Sequence, residues 1–124
     1  MTAARILIVD DDETIRQLVN ICLSDEGYEV TEASNGETAL ASVADSTPDL
    51  ILLDLRMPVM NGWEFARRYR ALPGAHAPII AFVASLDAER DRLGLETDGL
   101  LSKPFELDEL LEAVRTHIVA AERR

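Results

Sequence analysis

Four carboxylates and one lysine carry the chemistry of this chain. Asp10, Asp11 and Asp12 follow one another at the end of the apolar run Ile6-Leu7-Ile8-Val9, and Asp54 closes a second such run, Leu50-Ile51-Leu52-Leu53. Lys103, followed by Pro104, is the sole lysine among twelve basic residues. Carboxylates brought close together raise one another's pKa unless a cation compensates. Oxygen ligands on loop ends, with neither His nor Cys beside them, suit Mg²⁺ with part of its water retained rather than Zn²⁺. A lysine ammonium is a compact point charge that can meet a phosphate. The bland alternative makes Asp11 and Asp12 capping acids of the following helix, and Lys103 a solvated surface charge. A single Asp after a strand favours that alternative; the Asp cluster together with Asp54, each behind a buried run, favours a cation site. Lys103-Pro104 is also a candidate cis peptide.

The elements that must position these residues alternate along the chain. Arg5 to Asp10 reads as a strand covered on both faces. A helix follows with Ile15, Leu18, Val19, Cys22 and Leu23 on its apolar stripe, ended by Gly27. Tyr28 to Ala33 reads as a strand, Asn35-Gly36 as a turn, and a helix through Leu40 and Val43 stops near Ser46-Thr47-Pro48. The strand Leu50–Asp54 leads into a loop from Leu55 to Gly62 with Met57-Pro58 and Asn61-Gly62 as turn signals. A helix from Trp63 to Leu72 stops at Pro73-Gly74, and Pro78 opens the strand Ile79–Val83. Leu86 to Leu95 reads as a short charged helix, and Gly99 to Ser102 as a brief strand. The last helix carries Leu107, Leu110, Leu111, Val114 and Ile118 on one face. Five strand–helix pairs imply an α/β fold with parallel strands and helices on both faces, a single domain over residues 1–124. In such sheets ligands bind outside the carboxyl ends of the strands, at the switch in strand order. Asp10 to Asp12, Asp54, Val83-Ala84-Ser85 and Lys103 all fall at those ends.

Composition narrows the function classes. Twelve basic against twenty-three acidic residues give a net charge of −11, which argues against direct binding to nucleic acid or an anionic membrane. One cysteine excludes an internal disulfide framework and fits a reducing, cytoplasmic setting. No apolar run approaches the roughly 20 residues of a membrane span.

Three segments together resemble a response-regulator receiver domain of the chemotaxis type. They are Ile6-Leu7-Ile8-Val9-Asp10-Asp11-Asp12, Asp49-Leu50-Ile51-Leu52-Leu53-Asp54-Leu55-Arg56-Met57-Pro58-Val59-Met60-Asn61-Gly62, and Leu101-Ser102-Lys103-Pro104-Phe105. The resemblance runs from about Arg5 to the last helix. It implies a flavodoxin-like (βα)5 fold, a doubly wound five-stranded parallel sheet of order 2-1-3-4-5. It also implies a two-component signalling module rather than an enzyme, with Asp54 as phosphoacceptor and Lys103 paired with the phosphoryl group. By the same resemblance, Mg²⁺ would be held by Asp11, Asp54 and the backbone carbonyl of Arg56, with Asp10 supporting it through water. The implied partners are a histidine kinase or phosphotransfer protein as donor and a downstream protein target or effector domain.

Two positions depart from the pattern. The family usually has Thr or Ser where this chain has Val83, and Tyr or Phe where it has Leu100; those two form the family's conformational switch. Ala84 matches the small residue beside the phosphate, and Ser85 is a substitute hydroxyl only if its loop is rearranged. Two further readings stand beside the phosphoacceptor. One is a phosphorylation-independent pseudo-receiver that binds partners without switching. The other is a haloacid-dehalogenase-type phosphatase, because Asp10-Asp11-Asp12-Glu13-Thr14 matches a D-x-D-x-T start with Asp10 as nucleophile. Its missing cap domain and the unexplained Asp54 segment count against it. Cys22 reads as a small core residue, Arg67, Arg68 and Arg70 as ion-paired surface, and His76 and His117 as lacking catalytic partners. Trp63 is either a lid over a helix groove or a partner contact.

Overall fold

A computed structural model describes residues 3–84 and 97–122. Five strands form one parallel sheet: β1 (Arg5–Val9), β2 (Glu29–Ala33), β3 (Leu50–Asp54), β4 (Ile79–Val83) and β5 (Gly99–Ser102), in the order β2-β1-β3-β4-β5. The described helices are α1 (Glu13–Asp25), α2 (Gly36–Asp45), α3 (Gly62–Ala71) and α4 (Leu107–Glu122). The predicted helix from Leu86 to Leu95 and the Ser85 hydroxyl lie outside the described residues.

Side-chain alternation along the strands divides the core into two layers. Leu7, Val9, Ile51, Leu53, Ile79, Ala81 and Val83 join Ala39, Val43, Phe65 and Tyr69 of α2 and α3. Ile6, Ile8, Leu50, Leu52, Ile80 and Phe82 join Val19 and Leu23 of α1 and Leu110, Val114 and Ile118 of α4. Strands buried on both sides therefore read as continuous apolar runs, as in β1, β3 and β4.

Three local expectations are corrected. Asn35-Gly36 is no free turn: Asn35 caps α2, accepting from the Thr38 N–H at 2.9 Å, and Gly36 is the first helical residue. Asn61-Gly62 likewise opens α3, with Asn61 accepting from the Glu64 N–H at 2.9 Å. In both, glycine permits close approach rather than a reversed turn. A Cβ on Gly36 would lie 2.8 Å from the Met60 carbonyl oxygen, and one on Gly62 would lie 2.5 Å from that of Asp54. The third correction concerns apolar stripes. Leu18 on α1 and Leu107 at the start of α4 are exposed, because their helices face the sheet with a narrower strip than the apolar residues span. Smaller boundary shifts accompany these: β2 begins at Glu29 rather than Tyr28, and α3 ends at Ala71. Gly27, at φ +94°, follows the end of α1 as its position implies.

Candidate functional site

The sheet's switch in order falls between β1 and β3, whose last registered pair is Val9 with Leu53. One step further stand Asp10 and Asp54. Each continues the alternation of the layer facing α1 and α4, so neighbouring strands deliver both carboxylates to the same side of the same edge. Asp10 is fully buried and Asp54 nearly so. Asp11, one residue beyond and exposed, joins them: one carboxylate oxygen from each of Asp10, Asp11 and Asp54 lies within 4.8 Å of the others. Asp12 departs from the group. It is the N-cap of α1, its carboxylate accepting from the Ile15 N–H at 3.2 Å, so the capping reading holds for Asp12.

Lys103 reaches this cluster from the end of β5. Its Nζ donates to Asp10 Oδ2 at 3.2 Å and to Asp54 Oδ1 at 3.3 Å. The Lys103-Pro104 bond is cis. The Lys103 N–H bonds to the Val83 carbonyl at 2.7 Å, which ties the lysine backbone to the end of β4. Burial raises Asp54 from the ordinary carboxylate range to about 6, and Asp10 adds to this while Lys103 opposes it. Burial pulls the Lys103 ammonium down, but Asp10 and Asp54 outweigh it and hold the group above its ordinary value. Three ionised carboxylates against one ammonium leave two negative charges, the charge of one divalent cation.

Beside the cluster opens a cavity of about 230 Å³ lined by Asp54, Leu55, Arg56, Phe82, Val83, Ala84 and Lys103. Val83 is buried in the wall and Ala84 is exposed. Leu100, half-buried on β5, packs against the α2 and α3 layer. The loop that follows Asp54 is pinned at both ends by buried Met57 and Met60. Between them Val59 is forced to φ 71° while the Met60 N–H bonds back to the Pro58 carbonyl at 2.8 Å, a tight three-residue turn that a β-branched residue adopts only under constraint. Past it, the Gly62 N–H donates to the Leu55 carbonyl at 2.9 Å, drawing the start of α3 against the exit of β3.

The remaining conspicuous residues are structural. Arg67 and Arg68 pair with Glu64, and Arg70 pairs with Asp98 at 2.6 Å. His76 faces the Leu72 carbonyl and packs edge-on against Tyr69, and His117 lies between the Ala113 and Asp98 carbonyls. Trp63 lies half-buried under the Arg56 guanidinium, 5.7 Å from ring centroid to Cζ. Cys22 is half-buried, its thiol pushed up by burial and by neighbouring acids, which lowers its thiolate fraction. Sequence reading passed over Arg16, which donates to the Asp10 carbonyl, and Glu32 and Asn20, which hold it in turn. The available signal was a polar row, Asp12, Arg16 and Asn20, at helical i, i+4 spacing beside an apolar stripe.

Comparison with known proteins agrees with this geometry. The model of the response regulator receiver domain family matches residues 6–115. The DNA-binding response regulator MtrA of Mycolicibacterium paratuberculosis is 40% identical over 116 residues, covering 92% of this chain and 51% of that protein. The chain thus spans about half the length of that relative. The chemotaxis response regulator CheY4 of Vibrio cholerae superposes with a TM-score of 0.86 at 36% identity, over 93% of this chain and 98% of that one. The receiver domain of sensor histidine kinase PA1611 from Pseudomonas aeruginosa, solved with a magnesium ion coordinated in its active site cleft, gives 0.86 at 32% identity over 94% and 98%. Fold, carboxylate cluster and matched span lead to one conclusion: the chain belongs to the response regulator receiver domain family.

Proposed function

We propose that this receiver accepts a phosphoryl group on Asp54 and passes the signal on by protein–protein contact. The observation that carries this reading is the meeting of Asp54, Asp10, Asp11 and Lys103, with Asp54 and Lys103 lining the adjoining cavity. The donor is a phosphohistidine of a histidine kinase or phosphotransfer protein, or a small acyl phosphate. A carboxylate oxygen of Asp54 attacks phosphorus, the bond to the donor breaks, and the leaving group keeps its electron pair. Phosphoryl transfer asks chiefly for positioning and charge neutralisation, and this chain's residues supply both.

The donor set fits Mg²⁺: hard oxygens, two uncompensated charges, and a carboxyl raised first by burial and then by its acidic neighbour Asp10. Asp11, Asp54 and the Arg56 carbonyl would hold the ion, with Asp10 behind them. When bound, Mg²⁺ neutralises charge on the phosphoryl oxygens and on Asp54. Lys103, already on Asp54, shifts its ammonium only slightly to meet an incoming phosphoryl oxygen. Asp10 is fully buried and both its oxygens are engaged, by the Asp12 N–H at 2.9 Å and by Lys103. That leaves no open nucleophile there, so a phosphatase working through Asp10 is disfavoured.

Output runs to a downstream protein target or effector domain. The net charge of −11 argues against this chain itself holding nucleic acid, and a DNA-binding function in its relative belongs to that longer protein. Among the described residues no helix is long and apolar enough to cross a membrane, and a cytoplasmic setting follows from the proposed donors. Val83 and Leu100 make the response atypical. Valine has the shape of threonine without its donor, so the wall of the cavity at Val83 gives the phosphoryl group an apolar contact. Amide NMR with Mg²⁺ and beryllofluoride tests the reading: shifts clustered around Asp10 to Asp12, Asp54 to Arg56, Ala84 and Lys103 support it. An unchanged spectrum at saturating reagent would leave a binding module that does not accept phosphate.

A further inference from the structure

Asp10 is the most enclosed charged residue described, and its backbone is held as firmly as its side chain. Its N–H donates to the Ala33 carbonyl of β2 at 3.1 Å. Its carbonyl accepts from Arg16 Nη1 at 2.8 Å. The guanidinium that makes this bond lies on the first turns of α1 with its side chain only 16% exposed, an unusual depth for an arginine. It is fixed in turn: Arg16 Nε donates to Glu32 Oε1 at 3.0 Å, and Asn20 Nδ2 donates to Glu32 Oε2 at 2.7 Å. One carboxylate oxygen of Glu32, on the edge strand β2, thus holds the arginine while Asn20 holds the other and fixes the carboxylate, and the arginine's Nη1 reaches Asp10.

We infer that Arg16 is a positioning residue of the acidic site, setting the direction of the Asp10 and Asp11 carboxylates by clamping the Asp10 carbonyl. The geometry leaves little else for this arm to do. The peptide between Asp10 and Asp11 is where the chain leaves the sheet, and its carbonyl lies past the last β1–β2 and β1–β3 pairs, both of which end at Val9. With that carbonyl held, rotation of this peptide is blocked. The Asp12 N–H then stays on Asp10 Oδ1, and Asp11 stays turned toward Asp54. A guanidinium is planar and presents several donors in fixed directions, which is what a clamp on two partners at once requires. Arg16 touches neither the phosphoryl site nor the proposed metal ligands' side chains, so it acts only through Asp10.

This inference rests on the Mg²⁺ reading given above, and the test separates the two. Mg²⁺ affinity would be measured by calorimetry on the native protein, Arg16→Met, and Arg70→Met, with thermal stability recorded for each. Arg70 is a comparable half-buried arginine whose partner, Asp98, accepts from the Ile79 N–H at the opposite ends of the strands. Loss of Arg16 should weaken Mg²⁺ binding roughly tenfold or more, the usual cost of removing an outer partner of a metal site. It should also speed hydrogen exchange of the Asp12 amide in the metal-free protein. Arg70→Met should lower stability and leave Mg²⁺ affinity within about twofold. Should Arg16→Met bind Mg²⁺ as tightly as the native chain, or lose no more affinity than Arg70→Met, the positioning role is overturned. Should the native chain bind no Mg²⁺, the cation reading itself fails, while the Asp12 exchange rate still decides whether Arg16 orders the strand end. If Arg16→Met does not fold, Glu32→Gln, which loosens the arginine without removing it, takes its place with the same expectations in smaller measure.

Discussion

The ammonium of Lys103 stands 3.3 Å from the Asp54 carboxylate, reaching past the end of β4 from β5 to β3. A second contact at 3.2 Å joins it to Asp10, just past the end of β1. One side chain therefore ties together the exits of three strands, and it is the cation that makes two buried carboxylates tolerable before any metal arrives. Removing it should be costly. Lys103→Met leaves Asp10 and Asp54 facing one another uncompensated, a loss on the order of 1–3 kcal/mol given that part of the lysine is solvated. Mg²⁺ should restore more stability to this variant than to the native protein. Denaturant titration with and without Mg²⁺ checks both; equal Mg²⁺ stabilisation of the two proteins contradicts it.

The pH dependence of Asp54 has a definite sign. Its folded value, about 6, lies above the unfolded one near 3.8. Between these values the folded chain holds more protons than the unfolded chain, so stability from this group is lost as pH rises across that window. Asp54→Asn cannot ionise, and above pH 6 it should exceed the native protein by on the order of 1–3 kcal/mol. The difference should shrink toward pH 4, and saturating Mg²⁺ should reverse it at pH 7. Melting curves of both proteins from pH 4 to pH 8 give the answer; a difference independent of pH would contradict the assignment.

Asp11 is the exposed member of the cluster, so its substitution disturbs the core least. Asp11→Asn should leave the melting temperature nearly unchanged and weaken Mg²⁺ binding by at least about tenfold, as even the loss of an outer-shell partner does. Calorimetry decides it, and unaltered affinity would place the metal elsewhere.

Gly62 sets how closely α3 approaches β3, the strand that ends in Asp54. A Cβ there would meet the Asp54 carbonyl oxygen at 2.5 Å and the Leu55 Cα at 2.7 Å, both backbone atoms with nowhere to go. Gly62→Ala should cost about 1–3 kcal/mol through overpacking and displace Asp54, slowing its modification. A variant as stable as the native chain and labelled as fast would show that α3 shifts freely.

Val83 and Leu100 bear on what the proposed phosphorylation would do. A state change needs a contact that one state makes better than the other. Val83→Thr would add a hydroxyl to the cavity wall, where a hydrogen bond to a charged group is worth on the order of 1.5–3 kcal/mol. Beryllofluoride-induced amide shifts should then spread further along β5 than in the native chain, with the rate of Asp54 labelling little altered. Shifts of equal extent in both proteins would mean that another contact drives the change.

The strands were legible because β1, β3 and β4 are buried on both faces and read as unbroken apolar runs. Asp10, Asp11, Asp54 and Lys103 were legible because each ends such a run or stands alone by type. The two Asn-Gly pairs were not. The sequence signal of a turn and that of a capped helix start are the same residues, and only the approach of Met60 to Gly36 and of Asp54 to Gly62 tells them apart. Arg16 was hidden for a related reason. The polar row Asp12, Arg16 and Asn20 marks its face of α1, but its partners, a backbone carbonyl and Glu32 of β2, are not marked by spacing along the chain.

Mapping the site of modification bears on the phosphoacceptor reading without intermediaries. The native protein and Asp54→Asn would be incubated with Mg²⁺ and acetyl phosphate, and the modified peptide located by mass spectrometry. The expected result is one phosphoryl group on the native chain, carried by Asp54, dependent on Mg²⁺ and absent from Asp54→Asn. Undiminished labelling of Asp54→Asn, or a phosphoryl group found on Asp10, would contradict it.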